Sequence, residues 1–442
     1  MDPVLLARIQ FALTVGFHFI FPPLTIGLAW LIVWMKWRAL RTGDAVVAEM
    51  ARFWTRIFAI SFAVGVATGI PMEFQFGTNW SAYSRYVGDI FGAPLAAEGV
   101  FAFFLESSFL GLLLFGEKRI SARMHVVAAL MVALGSTLSA FWIIVANSWQ
   151  QTPAGHEIQG GRAVLTDFVA AVFNPSTIPR YTHTVSASLV TGAFFVLGLS
   201  ALYLLKGRHL EIARRSFRIS LVAAAVFAWA QFFTGHHHAV QVARTQPAKL
   251  AAFEGLFETQ RGAPLALFGV PNAEAGRLDY EVSIPGNLSF LVGMSFDTEV
   301  QGLNDFPRDE WPPLGLTFYP FHLMFIMGVF FIGFAMLGLL LLWRRKLFDP
   351  SSTLSRWYLG GAVIAMPLPF VANELGWIAA EVGRQPWAVY GMLLTRDAVS
   401  VTVPAWQILA SIIMFAVVYT ALFVLWIFLL RRKLAQGPEV TP

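Results

Sequence analysis

Nine apolar runs, each long enough to cross a bilayer, leave this chain of 442 residues few folds to choose from. They fall at about 13–35, 53–76, 94–115, 124–148, 182–205, 216–235, 317–343, 357–381 and 404–430, and about 20 apolar residues suffice for a spanning helix. With 57% hydrophobic and 13% charged residues, no water-soluble domain of this length could bury so much apolar surface. The expected fold is all-α, a polytopic membrane helical bundle of about nine transmembrane helices. Neither a repeat nor a composition shift divides it, so 1–442 reads as a single membrane domain. Met1-Asp2-Pro3 lacks the basic start and small-residue cleavage site of a secretory signal, so the first run is expected to remain as a helix.

Basic residues cluster after alternate runs: Lys36, Arg38 and Arg41; Lys118, Arg119 and Arg123; Lys206, Arg208, Arg214, Arg215 and Arg218; Arg344, Arg345, Lys346 and Arg356; Arg431, Arg432 and Lys433. By the positive-inside rule these loops are cytoplasmic, the N-terminus is outside and the C-terminus is cytoplasmic. The formal charge of +5 is then a topology signal, and no nucleic acid partner is expected. The polar stretch 236–315 becomes an extracytoplasmic loop, too long for a simple connector. The chain has no cysteine, which excludes disulfides, thiolate-held iron–sulfur clusters and covalently attached c-type haem. Any metal must use His, Met or carboxylate ligands.

Ionisable groups in hydrocarbon cost roughly 2.5 to 3.5 kcal/mol each on insertion scales, so several at one depth imply a built site. His18, Glu98, His183, Met324 and Glu381 lie in or beside the apolar runs, all toward the outer face. His18 precedes Pro22-Pro23, which should interrupt helical hydrogen bonding, and His183 opens the fifth run. Either imidazole could be an axial haem ligand or an interhelical hydrogen-bonding partner. Met324 could complete a low-spin site, or be ordinary core. His322 lies about 200° from it around a helix, so only one of the two can face a given iron.

Glu98 and Glu106 are eight residues apart, roughly 12 Å along a regular helix and about 80° around it. They read as successive steps of a proton path, with Ser107 adding a hydroxyl beside Glu106, or else as interhelical hydrogen-bonding acids. Glu381 ends the eighth run, with Trp377 one turn earlier and Arg384 beyond it; it could ligate iron, or form a helix-end ion pair. In the loop, Lys249 and Glu254 in QPAKLAAFEGLFETQ could hydrogen-bond a quinone head group, or line a solvated helix face. The His236-His237-His238 run could bind a metal, but reads first as solvated loop and is assigned no role.

The blocks GFHFIFPPLTIG, MEFQFGTNWSAYSRYVGDIFGAPLAAEG, FFLES, VALGSTLSAFWIIVANSW, QPAKLAAFE and GRQPW occur in the order found in one family. Over nearly its whole length the chain resembles subunit I of the cytochrome bd family of quinol:oxygen oxidoreductases. The resemblance implies that His18 and Glu381 ligate two high-spin haems, with Glu98 beside one of them as distal ligand or proton donor. It implies that His183 and Met324 hold a low-spin haem b, that Lys249 and Glu254 belong to the quinol loop, and that Glu106 with Ser107 lies on the proton path. Arg384, Trp377, Gln75 and Asn147 match residues around the haems. The implied cofactors are a low-spin haem b, a high-spin haem b, and a haem d or a further haem b. Implied partners are subunit II, a small single-helix subunit in some members, membrane quinol and O2.

The activity implied is quinol oxidation with O2 reduced to water, building a proton-motive force without pumping in a prokaryotic cytoplasmic membrane. The loop is of the shorter type, because the long insertion before Trp311 is absent. His322 stands where the family usually has arginine, and losing that charge is expected to lower the low-spin haem's potential unless His322 is protonated. Two other readings share part of the evidence: a haem protein with a different electron donor or acceptor, and a non-haem proton-coupled transporter.

Overall fold

The computed structural model describes residues 2–349 and 351–438. The chain begins with α1 (Pro3–Phe19), α2 (Phe21–Thr42), α3 (Ala45–Gly77) and α4 (Ser81–Ala97), then a π-helical turn at Glu98–Phe103, α5 (Phe104–Phe115) and α6 (Ala122–Gln151). A hairpin of β1 (His156–Gln159) and β2 (Arg162–Leu165) and the short α7 (Phe168–Val172) lead into α8 (Thr177–Leu205) and α9 (Leu210–Thr245). Next come α10 (Pro247–Glu254), β3 (Gln260–Arg261), β4 (Leu265–Asn272), β5 (Arg277–Ile284), α11 (Asn287–Gly293) and β6 (Glu299–Val300). The chain closes with α12 (Leu314–Trp343), α13 (Thr353–Ala365), α14 (Leu368–Val382), β7 (Trp387–Val389), β8 (Leu393–Leu394), α15 (Thr395–Ala398) and α16 (Ala405–Gln436). All strand pairs are two-stranded and antiparallel.

Among the described residues, nine helical stretches are long and apolar enough to cross a membrane, and each contains one of the nine apolar runs. Three of them are interrupted. The first breaks at Ile20, just before Pro22-Pro23, and the eighth between α13 and α14 at Pro367, because proline lacks the amide that would continue the ladder. The third passes through the π-helical turn that starts on Glu98. That turn replaces the regular helix assumed for the Glu98–Glu106 relationship, so the expected 80° offset does not apply.

α8 is the central helix: 78% of its spanning window is buried inside the protein, against 11% for α16. It packs on α2, α9 and α13, and small residues permit the closest crossing, where a Cβ on Gly27 would lie 2.8 Å from the Cα of Gly192. One core cluster joins α2, α3, α6, α8 and α16 around Phe21, Trp54 and Phe58; a second joins α8, α9, α12 and α13 around Phe194 and Phe217. Two buried indoles are satisfied across helices, with Trp54 Nε1 donating to Ser216 Oγ and Trp426 Nε1 to Ser61 Oγ, each at 3.0 Å.

The segment between the long helices α9 and α12 is shorter than 236–315. α9 runs on to Thr245, so His236, His237 and His238 are helical rather than loop. That run is polar because part of it faces other helices: the ring of His238 lies 5.7 Å from that of His183. The connecting segment is 246–313, and its anchor is α10, buried from Ala248 to Glu254 between α9 and α12. A solvated face for Lys249 and Glu254 is thereby excluded.

Candidate functional site

The end of the bundle next to segment 246–313 holds a buried polar cluster drawn from four elements. Glu381, in the last turn of α14, takes Arg384 Nη2 on Oε2 at 2.7 Å, and Arg180 Nη2 from α8 on Oε1 at 3.3 Å. Arg180 also donates to Asn147 Oδ1 of α6. Gln151 Nε2 donates to Glu381 Oε1 at 3.2 Å, while Gln151 Oε1 accepts from Lys249 Nζ at 2.8 Å and Gln246 Nε2 at 3.1 Å. Lys249, expected at a substrate site in the loop, is thus one amide away from Glu381. Burial holds its ammonium well below the lysine range, Arg180 presses the same way, and Glu381 opposes them.

Two arginines and a lysine surround one carboxylate here, and the surplus is visible in the hydrogen bonding. Arg180 Nε and Arg384 Nε and Nη1 are buried without an acceptor. Buried guanidinium donors are costly when unpaired, and these three are free to pair with a further anion. Glu254 is different: its Oε2 is buried and unpartnered, and burial pushes its carboxyl up to about 8.

His183 sits between α8 and α9, with Gln231 Nε2 at 3.2 Å from Nε2 and Thr234 Oγ1 at 3.5 Å from Nδ1. Met324 of α12 points at α14, where a Cβ on Gly376 would come within 2.7 Å of its sulfur. Trp377, the next residue of α14, is part-buried. His18 lies between α1 and α3, with Nδ1 3.0 Å from Thr68 Oγ1. Both histidine rings rest on glycine, since a Cβ on Gly69 would lie 3.0 Å from His18 Cε1 and one on Gly235 3.0 Å from His183 Cε1. Gln75 accepts from Thr14 Oγ1 at 3.1 Å and keeps its buried Nε2 unpaired.

Glu98 accepts from Ser139 Oγ at 2.7 Å, and Glu106 from Ser136 Oγ. Both carboxylates therefore face α6, on serines one turn apart. Ser107 does not serve Glu106; its hydroxyl bonds back to the Phe103 carbonyl at 2.7 Å. Ser136, Ser139, Asn147 and Gln151 fall within ~120° of arc and about 22 Å along α6. One face of α6 thus touches Glu106, Glu98, Arg180, Glu381 and Lys249 in turn. His322 is turned away from Met324, with Nδ1 3.0 Å from the Phe318 carbonyl and Nε2 3.0 Å from the Ala266 carbonyl of β4. It ties the β4–β5 hairpin to α12.

The family model for cytochrome bd terminal oxidase subunit I matches residues 6–438. This chain belongs to that family. A curated relative, "Cytochrome bd ubiquinol oxidase subunit 1" of Bacillus subtilis (strain 168), is 40% identical, the alignment covering 99% of this chain and 95% of that protein. "Cytochrome bd-II ubiquinol oxidase subunit 1" of Escherichia coli (strain K12) is 36% identical, with 99% and 97% covered. Among solved structures, "The structure of bd oxidase from Geobacillus thermodenitrificans" superposes with a TM-score of 0.91 at 34% identity over 99% of both chains. The fold of this cytochrome bd subunit is therefore the bd-oxidase fold, in a multi-pass membrane protein.

Members of the cytochrome bd family carry haem, and the residues of this chain fit such a group. Orphaned guanidinium donors on Arg180 and Arg384 suit carboxylate groups such as haem propionates, and two imidazoles, a thioether and a carboxylate are available as iron ligands. Arg180, Gln151, Ser136 and Ser139 escaped the sequence reading. Arg180 was legible three residues before His183, and the serines one helical turn apart on a run that also carries Asn147 and Gln151.

Proposed function

We propose that this chain is the haem-bearing subunit of a bd-type quinol:oxygen oxidoreductase, oxidising membrane quinol at segment 246–313 and reducing dioxygen to water within the bundle. The observation that carries this reading is the cationic pocket around Glu381, with unpaired guanidinium donors, joined through one amide to Lys249. His183 and Met324 would hold a low-spin haem b, and His18 and Glu381 the two high-spin haems, one b and one d or b. When bound, the haems supply electron storage and the iron at which dioxygen is reduced.

The chain's own groups supply binding and protons. Lys249 Nζ donates to a quinol oxygen, and Glu254, whose carboxyl titrates at about 8, takes a quinol proton in its ionised form. Arg180 and Arg384 bind and orient the anionic edge of the cofactor. Glu98 and Glu106, on the serines of α6, hold protons on the way to the oxygen site from the opposite face of the membrane. With the N-terminus outside and segment 246–313 extracytoplasmic, quinol protons leave outside while protons for water come from the cytoplasm. A proton-motive force follows without pumping. Bacterial relatives named as subunit 1 point to a subunit II partner.

The purified complex is expected to show haem bands in its reduced-minus-oxidised spectrum and quinol-dependent oxygen uptake. A protein without haem absorbance would remove the reading. Uptake unchanged in Lys249→Ala and Glu254→Ala would remove the quinol-site assignment alone.

A further inference from the structure

Gln151 occupies a position that neither sequence motif nor proposed ligand set accounts for. It is the last residue of α6, its side chain is almost fully buried, and both ends of its amide are used. Oε1 accepts from Lys249 Nζ at 2.8 Å and from Gln246 Nε2 at 3.1 Å, and Nε2 donates to Glu381 Oε1 at 3.2 Å. The Lys249 Nζ donor, an amide dipole and a carboxylate are thus linked in series, each bond polarising the next. Few side chains could do this. A hydroxyl is too short to reach both sides, a carboxylate would set like charge against Glu381, and Asn is one methylene short. Gln246 packs on the same oxygen and holds the amide in one orientation, because rotating it would set Nε2 against two donors.

We propose that Gln151 is a positioning residue that couples the substrate site at Lys249 to the carboxylate of Glu381. It fixes the rotamer of Glu381 from the side opposite Arg384, and it makes the field at Glu381 depend on how Lys249 is engaged. When Lys249 donates to a quinol oxygen, its bond to Gln151 weakens, and the less polarised amide becomes a weaker donor to the carboxylate. The coupling rests on the reading that Lys249 meets quinol and Glu381 the high-spin iron.

The test uses the purified holo-complex and reads the absorption band and midpoint potential of the haem held by Glu381, together with the quinol KM. Gln151→Leu removes both bonds. It is expected to shift the band and potential and to raise KM about ten-fold, as loss of a hydrogen bond to a charged group would. Gln151→Glu keeps an acceptor for Lys249 and loses the donor to Glu381; KM should stay within about three-fold of wild type while the band and potential still shift. Lys249→Met should also move the Glu381 haem, and in the Gln151→Leu background it should move it no further.

Strictly additive shifts in the double variant would overturn the coupling, as would a Gln151→Glu protein whose Glu381 haem matches wild type. If Gln151→Leu does not assemble, shown by loss of the low-spin signal, Gln151→Glu decides by the same criterion. Absence of haem from the wild-type complex would instead overturn the underlying functional reading.

Discussion

Phe253 and Phe321 stack face to face, their centroids 4.5 Å apart and their planes 2° from parallel. This contact crosses the boundary between the connecting segment and the bundle, pinning the helix that carries Lys249 and Glu254 onto α12. The first expectation follows from it. Phe321→Ala should cost α10 docking about 3 kcal/mol or more, in the range of large aromatic truncations. Limited proteolysis within 246–313 should accelerate and quinol KM should rise, with haem content unchanged. Proteolysis at the wild-type rate would show that the stack is not the anchor.

Glu254 gives a pH dependence with a definite sign. Burial raises its carboxyl from an ordinary 4.5 to about 8 in the docked helix. The docked state therefore holds a proton that the undocked state releases. Its contribution is fully present below 4.5, declines as pH rises toward about 8, and is flat above. Hydrogen exchange of α10 should be faster at pH 8 than at pH 5 after correction for intrinsic rates, and Glu254→Gln should abolish that difference. An equal slope in both proteins would refute the assignment.

Arg180 shares Glu381 with Arg384 and also holds Asn147. Breaking a buried ion pair on one side costs about 3 to 5 kcal/mol, because the remaining charge stays buried. Arg180→Met is expected to lower haem occupancy, measured as pyridine haemochrome per protein. Arg180→Lys should recover only part of it, since an ammonium cannot bridge Asn147, Glu381 and a further anion in one plane. Full occupancy in Arg180→Met would show that Arg384 suffices.

Ser136, not Ser107, donates to Glu106. Ser136→Ala should slow steady-state oxygen reduction more than Ser107→Ala, with the larger deficit appearing as a solvent isotope effect on turnover. The reverse ranking would place the proton path on the other face of α5.

His322 bridges two carbonyls, and a neutral imidazole can donate to only one of them. His322→Leu should loosen the β4–β5 hairpin, seen as faster hydrogen exchange there, while the low-spin haem signal is retained. His322→Arg should raise that haem's potential; no upward shift in a redox titration would show that charge at this position does not reach it.

Hydrophobic run length was enough to mark the nine spans seen among the described residues, because the cost of unpaired backbone in hydrocarbon leaves the chain no alternative to helix. Pro22-Pro23 marked the break in the first; the break at Pro367 came only from the structure. The separate cost of ionisable side chains in hydrocarbon made His18, Glu98, His183 and Glu381 stand out in the sequence. Polarity in the sequence does not say which way a side chain faces, and that is why the His236–His238 run read as loop when it continues α9. The π turn at Glu98 changed the register of one helix against its neighbour, so only packing could show that Glu98 and Glu106 meet the same face of α6. Arg180, Gln151 and Lys249 come from segments up to 98 residues apart, and their convergence on Glu381 is a property of how α6, α8, α10 and α14 are assembled. Sequence determined which groups are costly to bury; tertiary structure decided which of them share a proton, a charge or a partner.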